Sequence, residues 1–396
     1  MNTRETIRLA GARVTRDHSR AEIGDLRMRG GRFIEHDSAA AADCIDLSGC
    51  LLLPGLINAH DHLEFNLFPR LGKGPYPNAV HWAQDIYYPN QSPVREHLAI
   101  PKTIRLLWGG IKNLLSGVTT VAHHNPFDLT AFNESFPVRV IRQYGWAHSL
   151  SFSPDVIDRF QQTPKQWPFV IHAAEGTDSD AFSEVERMDA RGILDERTVL
   201  VHAIALRASD IDIVRSRGCS LVWCPTSNLS ICGKTIDPAL LDSGLPVALG
   251  SDSALSAAGD MMDEICTARR FPRVTSQGIF EMLTRKAAQI FRLGLGFGTI
   301  CDRGPADLVA VRDDGQSPAD AVTNLCPEMV IVRGRVRLIS DRLLEQNPRL
   351  VLDGLQRIAI EGRGEWLIDT DVSVLRKSAE ASLGVGFELA GKRVMF

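Results

Sequence analysis

Two histidines, His60 and His62, stand one residue apart where the apolar run Leu51-Leu52-Leu53-Pro54-Gly55-Leu56-Ile57 gives way to Asn58 and Ala59. Residues two apart on an extended strand point to the same side. The two imidazoles therefore leave the strand together and make half of a metal site. The competing reading is a polar strand end with two unrelated histidines, and the pair alone favours the metal reading only slightly. Three further positions weigh on the choice. His172 closes Phe169-Val170-Ile171, His202 closes Thr198-Val199-Leu200-Val201, and Asp252 follows Pro246 to Ser251. One histidine at a strand end is more often hydrogen-bonded packing than a ligand. Five ligand-type groups at the same end of successive strands point to one shared site. Three imidazoles and a carboxylate suit a borderline divalent ion, zinc or ferrous iron. Glu175 lies just past His172, where a hydrolase needs an acid–base group beside its activated water. The competing reading of Glu175 is a loop carboxylate facing solvent.

These groups converge only if the strands are parallel neighbours. The spacing predicts a helix over 104–115, ended by Ser116-Gly117, and then a β-branched strand at 118–123. Strands are expected at 138–141, 146–152, 169–172, 198–202, 220–223 and 246–250. Helices or helical turns are expected at 154–161, 183–189, 208–216, 238–243 and 259–292. Near-continuous apolar strands alternating with helices imply a parallel sheet covered on both faces. Seven or eight such units in about 250 residues fit an α/β fold of the (β/α)₈ TIM-barrel type, in which strand C-termini meet on one face. Residues 125–168 are too few for two full units, so one unit is shortened or lost.

Both ends of the chain read differently. Residues 5–50 and 298–338 hold short strands and tight turns, which suggests one small composite β-sandwich made from both chain ends. The expected division is 1–52 with 296–345 as the sandwich, 53–295 as the barrel, and 346–396 as a tail with helical segments. The run from Leu51 to Asn58 is then the seam between the two domains. Residues 39–42 are expected to be an exposed loop. Residues 64–101 lack a clear period yet carry Phe65, Phe68, Tyr76, His81, Trp82, Tyr87 and Tyr88. That aromatic content fits a lid or pocket wall, or a packing patch against the barrel or a partner subunit.

Composition excludes several classes. Across 396 residues the net charge is −4, with 44% hydrophobic and 23% charged residues. A nucleic-acid partner calls for a basic face that this balance does not supply. No apolar run reaches the ~18 residues of a membrane-spanning helix. The N-terminus leads into no signal-like apolar core. Eight cysteines without close regular spacing and without Cys-x-x-Cys fit reduced thiols in the cytoplasm.

Taken in order, the motifs His60-Asp61-His62 after Pro54-Gly55-Leu56-Ile57, His172-Ala173-Ala174-Glu175, Val201-His202-Ala203, Trp223-Cys224-Pro225-Thr226-Ser227-Asn228 and Gly250-Ser251-Asp252-Ser253 resemble the amidohydrolase superfamily. Within it the chain is similar to the branch of cytosine, guanine and adenosine-type deaminases and triazine hydrolases. The resemblance covers about residues 5–340 and implies a distorted (β/α)₈ barrel beside the composite sandwich. It implies His60, His62, His172 and Asp252 as metal ligands, with Glu175 as proton shuttle. It implies that His202 positions water or substrate rather than binding the metal, with Asp252 sharing that catalytic role. Homo-oligomers, dimers above all, are expected on the same ground. Two-metal relatives bridge their ions with a carboxylated lysine on the fourth strand. The only lysine between Val118 and His172 is Lys165, beside Pro164, so one metal ion is expected, zinc ahead of iron. The unrelated cytidine-deaminase signature, His-x-Glu with Pro-Cys-x-x-Cys, is absent.

The expected reaction is hydrolysis of a non-peptide C–N bond in a small cyclic nitrogen compound, foremost deamination of a heterocyclic amine with release of ammonia. Ring opening or hydrolysis of a cyclic, imidazolone-like amide is the alternative. A catalytically silent scaffold is the remote one, because every residue named above is present. Candidate substrate contacts are Trp82, His123, His124, His148 and Asn228, each also compatible with packing. His123 and His124 are adjacent on a strand and so point oppositely, which sends one of them toward the site.

Overall fold

The structure is a computed structural model that describes residues 5–35, 43–257 and 259–395; the loop expected at 39–42 lies outside them. Its centre is eight parallel strands in two sheets. The first sheet joins β1 (Leu56–Asp61), β2 (Val118–His123) and β3 (Arg139–Val140). The second joins β4 (Gly145–Ala147), β5 (Phe169–Ala173), β6 (Thr198–His202), β7 (Ser220–Trp223) and β8 (Val247–Leu249). Runs such as Phe169-Val170-Ile171 and Val199-Leu200-Val201 are buried at every position, as covered parallel strands require.

Register brings the ligand-type residues level. Ala173 lies opposite His202, so His172 and His202 end neighbouring strands one step apart. The two sheets meet where the loop after β8 reaches β1: the Asp252 N–H donates to the His60 carbonyl at 3.0 Å. Gly250 makes this possible. A Cβ at that position would lie 2.6 Å from the His60 Cβ.

The region 125–168 is compressed. Its two strands have two and three residues, and only residues 141–144 connect them, without a helix. The strand expected at 146–152 stops at Ala147. Serines explain the stop: the Ser153 hydroxyl accepts from the His148 N–H at 2.9 Å, and the Ser153 N–H donates to the Ser149 carbonyl at 3.0 Å. Local side-chain bonds of this kind compete with a ladder.

The remaining strands form one sheet built from both chain ends. Ile7–Thr15, Ala21–Arg29, Arg32–Phe33, Asp43–Asp46 and Cys50–Pro54 come from the N-terminal side; Leu308–Arg312, Pro327–Val332 and Arg335–Ile339 come from the C-terminal side. The opening apolar run divides at Gly55. Cys50–Pro54 pairs with Leu308–Arg312, and Leu56–Asp61 enters the parallel sheet. Beyond residue 346 the chain is not helical alone. Helix Val372–Leu383 is present, and Gln356–Ile360, Gly364–Ile368, Glu388–Leu389 and Lys392–Met395 extend the same sheet. The first two alternate buried and open positions around a turn at Gly362, the signature of a hairpin. Phe387 then packs edge-on against buried Trp108, with ring centres 5.1 Å apart.

Among the described residues, no helix is long and apolar enough to cross a membrane. Residues 64–101 contain helices Ala79–Ile86 and Val94–Ala99. They follow the short 3₁₀ turn Leu63–Phe65, and helix Lys102–Leu115 lies directly on that turn. A Cβ at Gly109 would stand 2.2 Å from the Leu63 carbonyl oxygen. Helix propensity alone predicts that Gly109→Ala stabilises by about 1 kcal/mol. Steric exclusion predicts the opposite sign, a loss of about 1–3 kcal/mol, the usual cost of overpacking. Urea denaturation of the variant decides: a raised midpoint contradicts the close approach.

Candidate metal centre and active site

The donors converge at the C-terminal ends of β1, β5, β6 and β8. His60 Nε2 lies 3.2 Å from His172 Nε2. Asp252 Oδ1 lies 3.7 Å from His60 Nε2 and 3.8 Å from His62 Nε2. Two overlapping groups, His60–His172–His202 and His60–His62–Asp252, each gather three donor atoms close enough for one ion. Bonds of about 2.0–2.1 Å to a tetrahedral ion separate its nitrogen ligands by about 3.3–3.4 Å. The His60–His172 spacing fits that edge. The Nδ1 atoms of His60, His62 and His172 are buried without hydrogen-bond partners. Packing therefore holds these rings, edge to face at 4.9 Å for His60 with His62 and for His60 with His172. Burial, reinforced by the surrounding imidazoles, holds His60 and His172 well below the ordinary histidine range. Neutral imidazoles are the form that binds a cation. The donor set fits a divalent metal ion.

Asp252 stays ionised despite its position. Burial pushes its carboxyl up, but His62, His202, the Ser256 hydroxyl and the Ser253 N–H together bring it below the usual carboxylate value. Ser253 N–H donates to Oδ1 and Ser256 Oγ–H donates to Oδ2, each at 2.8 Å. Glu175 goes the other way. Burial first, then the charge of Asp252, lifts its carboxyl well above the ordinary range. It can therefore carry a proton near neutral pH. Its Oε1 is 3.6 Å from His202 Nε2. His202 Nδ1 is 2.8 Å from Asn228 Oδ1, an oxygen that only accepts, so Nδ1 carries the proton and Nε2 offers its lone pair to the site. Ala174, His202, Ala203 and Asp252 all have φ between 51° and 73°. Left-handed backbone at non-glycine positions is costly and clusters at functional sites.

These groups open on a cavity of about 280 Å³, lined on the metal side by His62, His172, His202, Asp252 and Glu175. The far wall is Phe65, Trp82, Ile86, Tyr87 and Phe152. The aromatic segment thus walls the pocket, and it also packs: Phe68, Ile86 and Val94 form a small core with Trp82 against it. A second cavity of about 170 Å³ shares His148, His172 and Glu175.

The five residues singled out as substrate contacts separate. Trp82 and His148 line the cavity. His124 turns toward the donors but stacks on His172 at 4.3 Å and bonds the Ala147 carbonyl through Nε2. His123 faces away, with Nδ1 accepting from the Leu63 N–H and Nε2 3.5 Å from Glu64 Oε2. Asn228 is fully buried and reaches the site only through His202. Asn125 and Ser253 line the cavity unforeseen.

The sequence reading also missed what stands behind the donors. Lys112, on helix Lys102–Leu115, is 2% exposed. Its Nζ lies 3.0 Å from Asp61 Oδ2 and donates to Ser251 Oγ at 2.9 Å and to the Asp252 carbonyl at 3.1 Å. Asp61 also accepts from Asn113 Nδ2 at 2.7 Å and from Asn66 Nδ2 at 2.8 Å. The middle residue of the His-x-His pair therefore points away from the donors and ties β1 to the Ser251–Asp252 corner. On the folded helix Lys112 shares the inward face with Arg105, Trp108 and Gly109.

Residues 151–337 match the amidohydrolase family. The chain is 24% identical over 369 residues to the 5-methylthioadenosine/S-adenosylhomocysteine deaminase of Halobacterium salinarum, covering 78% of this chain and 85% of that one. It is 25% identical over 426 residues to the 5'-deoxyadenosine deaminase of Methanothrix thermoacetophila, covering 88% and 97%. The fold superposes on a zinc-bound adenosine deaminase from Xanthomonas campestris with a TM-score of 0.68, 18% identity and coverage of 95% and 97%. It also superposes on the zinc complex of atrazine chlorohydrolase from Arthrobacter aurescens with a TM-score of 0.67, 17% identity and coverage of 87% and 99%.

Lys112→Met removes one partner of a buried pair and leaves the Asp61 charge behind. A loss of about 3–5 kcal/mol is expected. Adding Asp61→Asn should recover part of it in chemical denaturation. Two losses that simply add would contradict the pairing.

Proposed function

We propose that this chain, which matches the amidohydrolase family over residues 151–337, hydrolyses a carbon–nitrogen bond other than a peptide bond, as a zinc-dependent deaminase of a flat heterocyclic amine. The observation that carries the proposal is Glu175, a carboxyl whose hold on its proton is raised by burial and by the charge of Asp252, at the edge of the cavity where the donors meet. The relatives named for adenosine-type deamination support an amine on a purine-like ring. The aromatic wall supports a flat substrate, and the second cavity beyond Glu175 leaves room for a substituent.

We assign His60, His62, His172 and Asp252 as the groups that hold the ion, and zinc as the ion, on the strength of the donor chemistry and the zinc-bound structural neighbours. An ion held there supplies Lewis acidity and lowers the pKa of water toward neutral. The chain supplies the rest. Asp252, fixed by Ser253 and Ser256, accepts a proton from the attacking water. His202, fixed by Asn228, orients that water through Nε2. Glu175 gives its proton to the ring nitrogen as water adds to the amine-bearing carbon. Now unprotonated, Glu175 takes the remaining proton of the new hydroxyl and passes it to the departing amine; the C–N bond breaks to release ammonia and leave a carbonyl, and the proton held by Asp252 returns to Glu175.

We read the eight parallel strands as a distorted (β/α)₈ barrel, supported by the contact between Asp252 and His60 across the gap between the sheets. We read the long sheet as a β-sandwich folded around a core shared by Leu9, Met28, Leu52, Leu308, Met329 and Ile331.

The test is ammonia release from adenosine-type nucleosides and free heterocyclic amines by the zinc-loaded protein. Glu175→Gln should keep its metal and lose about 10²–10⁴-fold in turnover, the usual contribution of a general acid–base. Wild-type turnover in that variant would remove Glu175 from the mechanism.

A further inference from the structure

A further cavity lies away from the donors. It measures about 370 Å³, more than the cavity beside Glu175, and five arginines line it: Arg32, Arg139, Arg333, Arg335 and Arg337. They come from three separate places. Arg32 follows the Gly30-Gly31 turn, Arg139 opens β3, and the other three sit on the hairpin around Gly334. Carboxylates reach only part of this charge. Asp307 takes Arg139 at 3.2 Å and the Arg333 N–H at 2.6 Å. Asp369 takes Arg337 Nη1 at 2.8 Å, and Glu134 also lines the cavity. Of the five guanidinium groups, Arg139 and Arg337 thus pair with carboxylates, Arg337 also donates to the Glu134 carbonyl, and Arg32 Nη1 donates to the Arg303 carbonyl at 2.7 Å.

Two donors are left over. Arg337 is 2% exposed, and its Nε has no hydrogen-bond partner; Arg333 Nη1 is likewise buried without one. A buried charged donor left unmade costs at least about 1–3 kcal/mol. The guanidinium groups that line the cavity match the oxygens of phosphate in pairs. We propose that this cavity is a second ligand site that binds a phosphate group, free or as the ester of a small metabolite, and that the ligand joins the long sheet to β3. The site is independent of the catalytic reading.

Isothermal titration of the full-length, zinc-loaded protein tests this, at one ionic strength set with chloride. The probes are inorganic phosphate and ribose 5-phosphate, which carries no amine for the catalytic site. Saturable binding at one site per chain is expected, with a raised thermal midpoint. Arg32 and Arg335 are exposed at the rim, so Arg32→Ser with Arg335→Ser leaves the fold intact. That variant should bind roughly tenfold or more weakly, the loss of one or two charge-assisted bonds. Tighter binding of ribose 5-phosphate identifies an ester as the occupant, and equal binding identifies free phosphate. No saturable heat beyond chloride, or binding untouched by the double substitution, overturns the proposal.

Discussion

Taking the Asp252 carboxylate out of water costs several kcal/mol, and much of the surrounding structure works to offset that cost. Ser253 and Ser256 fill its oxygens with hydrogen bonds, while His62 and His202 stand beside it. The backbone of the same residue is gripped from both sides. Its N–H goes to His60 and its carbonyl to Lys112. Asp252 is thereby fixed at both its backbone and its side chain, although it sits on a short loop past a three-residue strand. The Lys112–Asp61 pair extends the same fixation to β1, so the two halves of the donor set are held by one buried network.

The donor rings follow a different logic. His60, His62 and His172 have no hydrogen-bonded partner on their outer nitrogens, and their orientation rests on ring packing. Crowding several imidazoles into one buried space keeps His60 and His172 unprotonated, which is the state a cation requires. Glu175 lies at the margin of this group, near enough to Asp252 for like charge to matter. Two carboxylates in one site thus take opposite protonation states, set by what each one touches.

Much of the site was legible because of strand periodicity. An apolar run ending in His or Asp announces both a buried strand and a group at its C-terminal end, and this located His60, His62, His172, His202 and Asp252. Asn228 was visible as a motif residue, but only the folded chain shows that it turns outward from the cavity to hold His202. Lys112 was not legible, since a lysine on an amphipathic helix normally faces water. The strands of the C-terminal tail were obscured by its charged residues, although the alternation around Gly362 was there to be read. The compression of 125–168 was foreseen from length. Its outcome is two stub strands with no helix between them, and the second stops where the Ser149 and Ser153 turn begins.

The central claim is that one ion sits among His60, His62, His172 and Asp252. Anomalous diffraction at the zinc edge, from crystals of the zinc-loaded protein, measures this directly. The account predicts a single peak bonded to these four side chains. Two peaks, or a peak that leaves His172 or Asp252 unbonded, would contradict it.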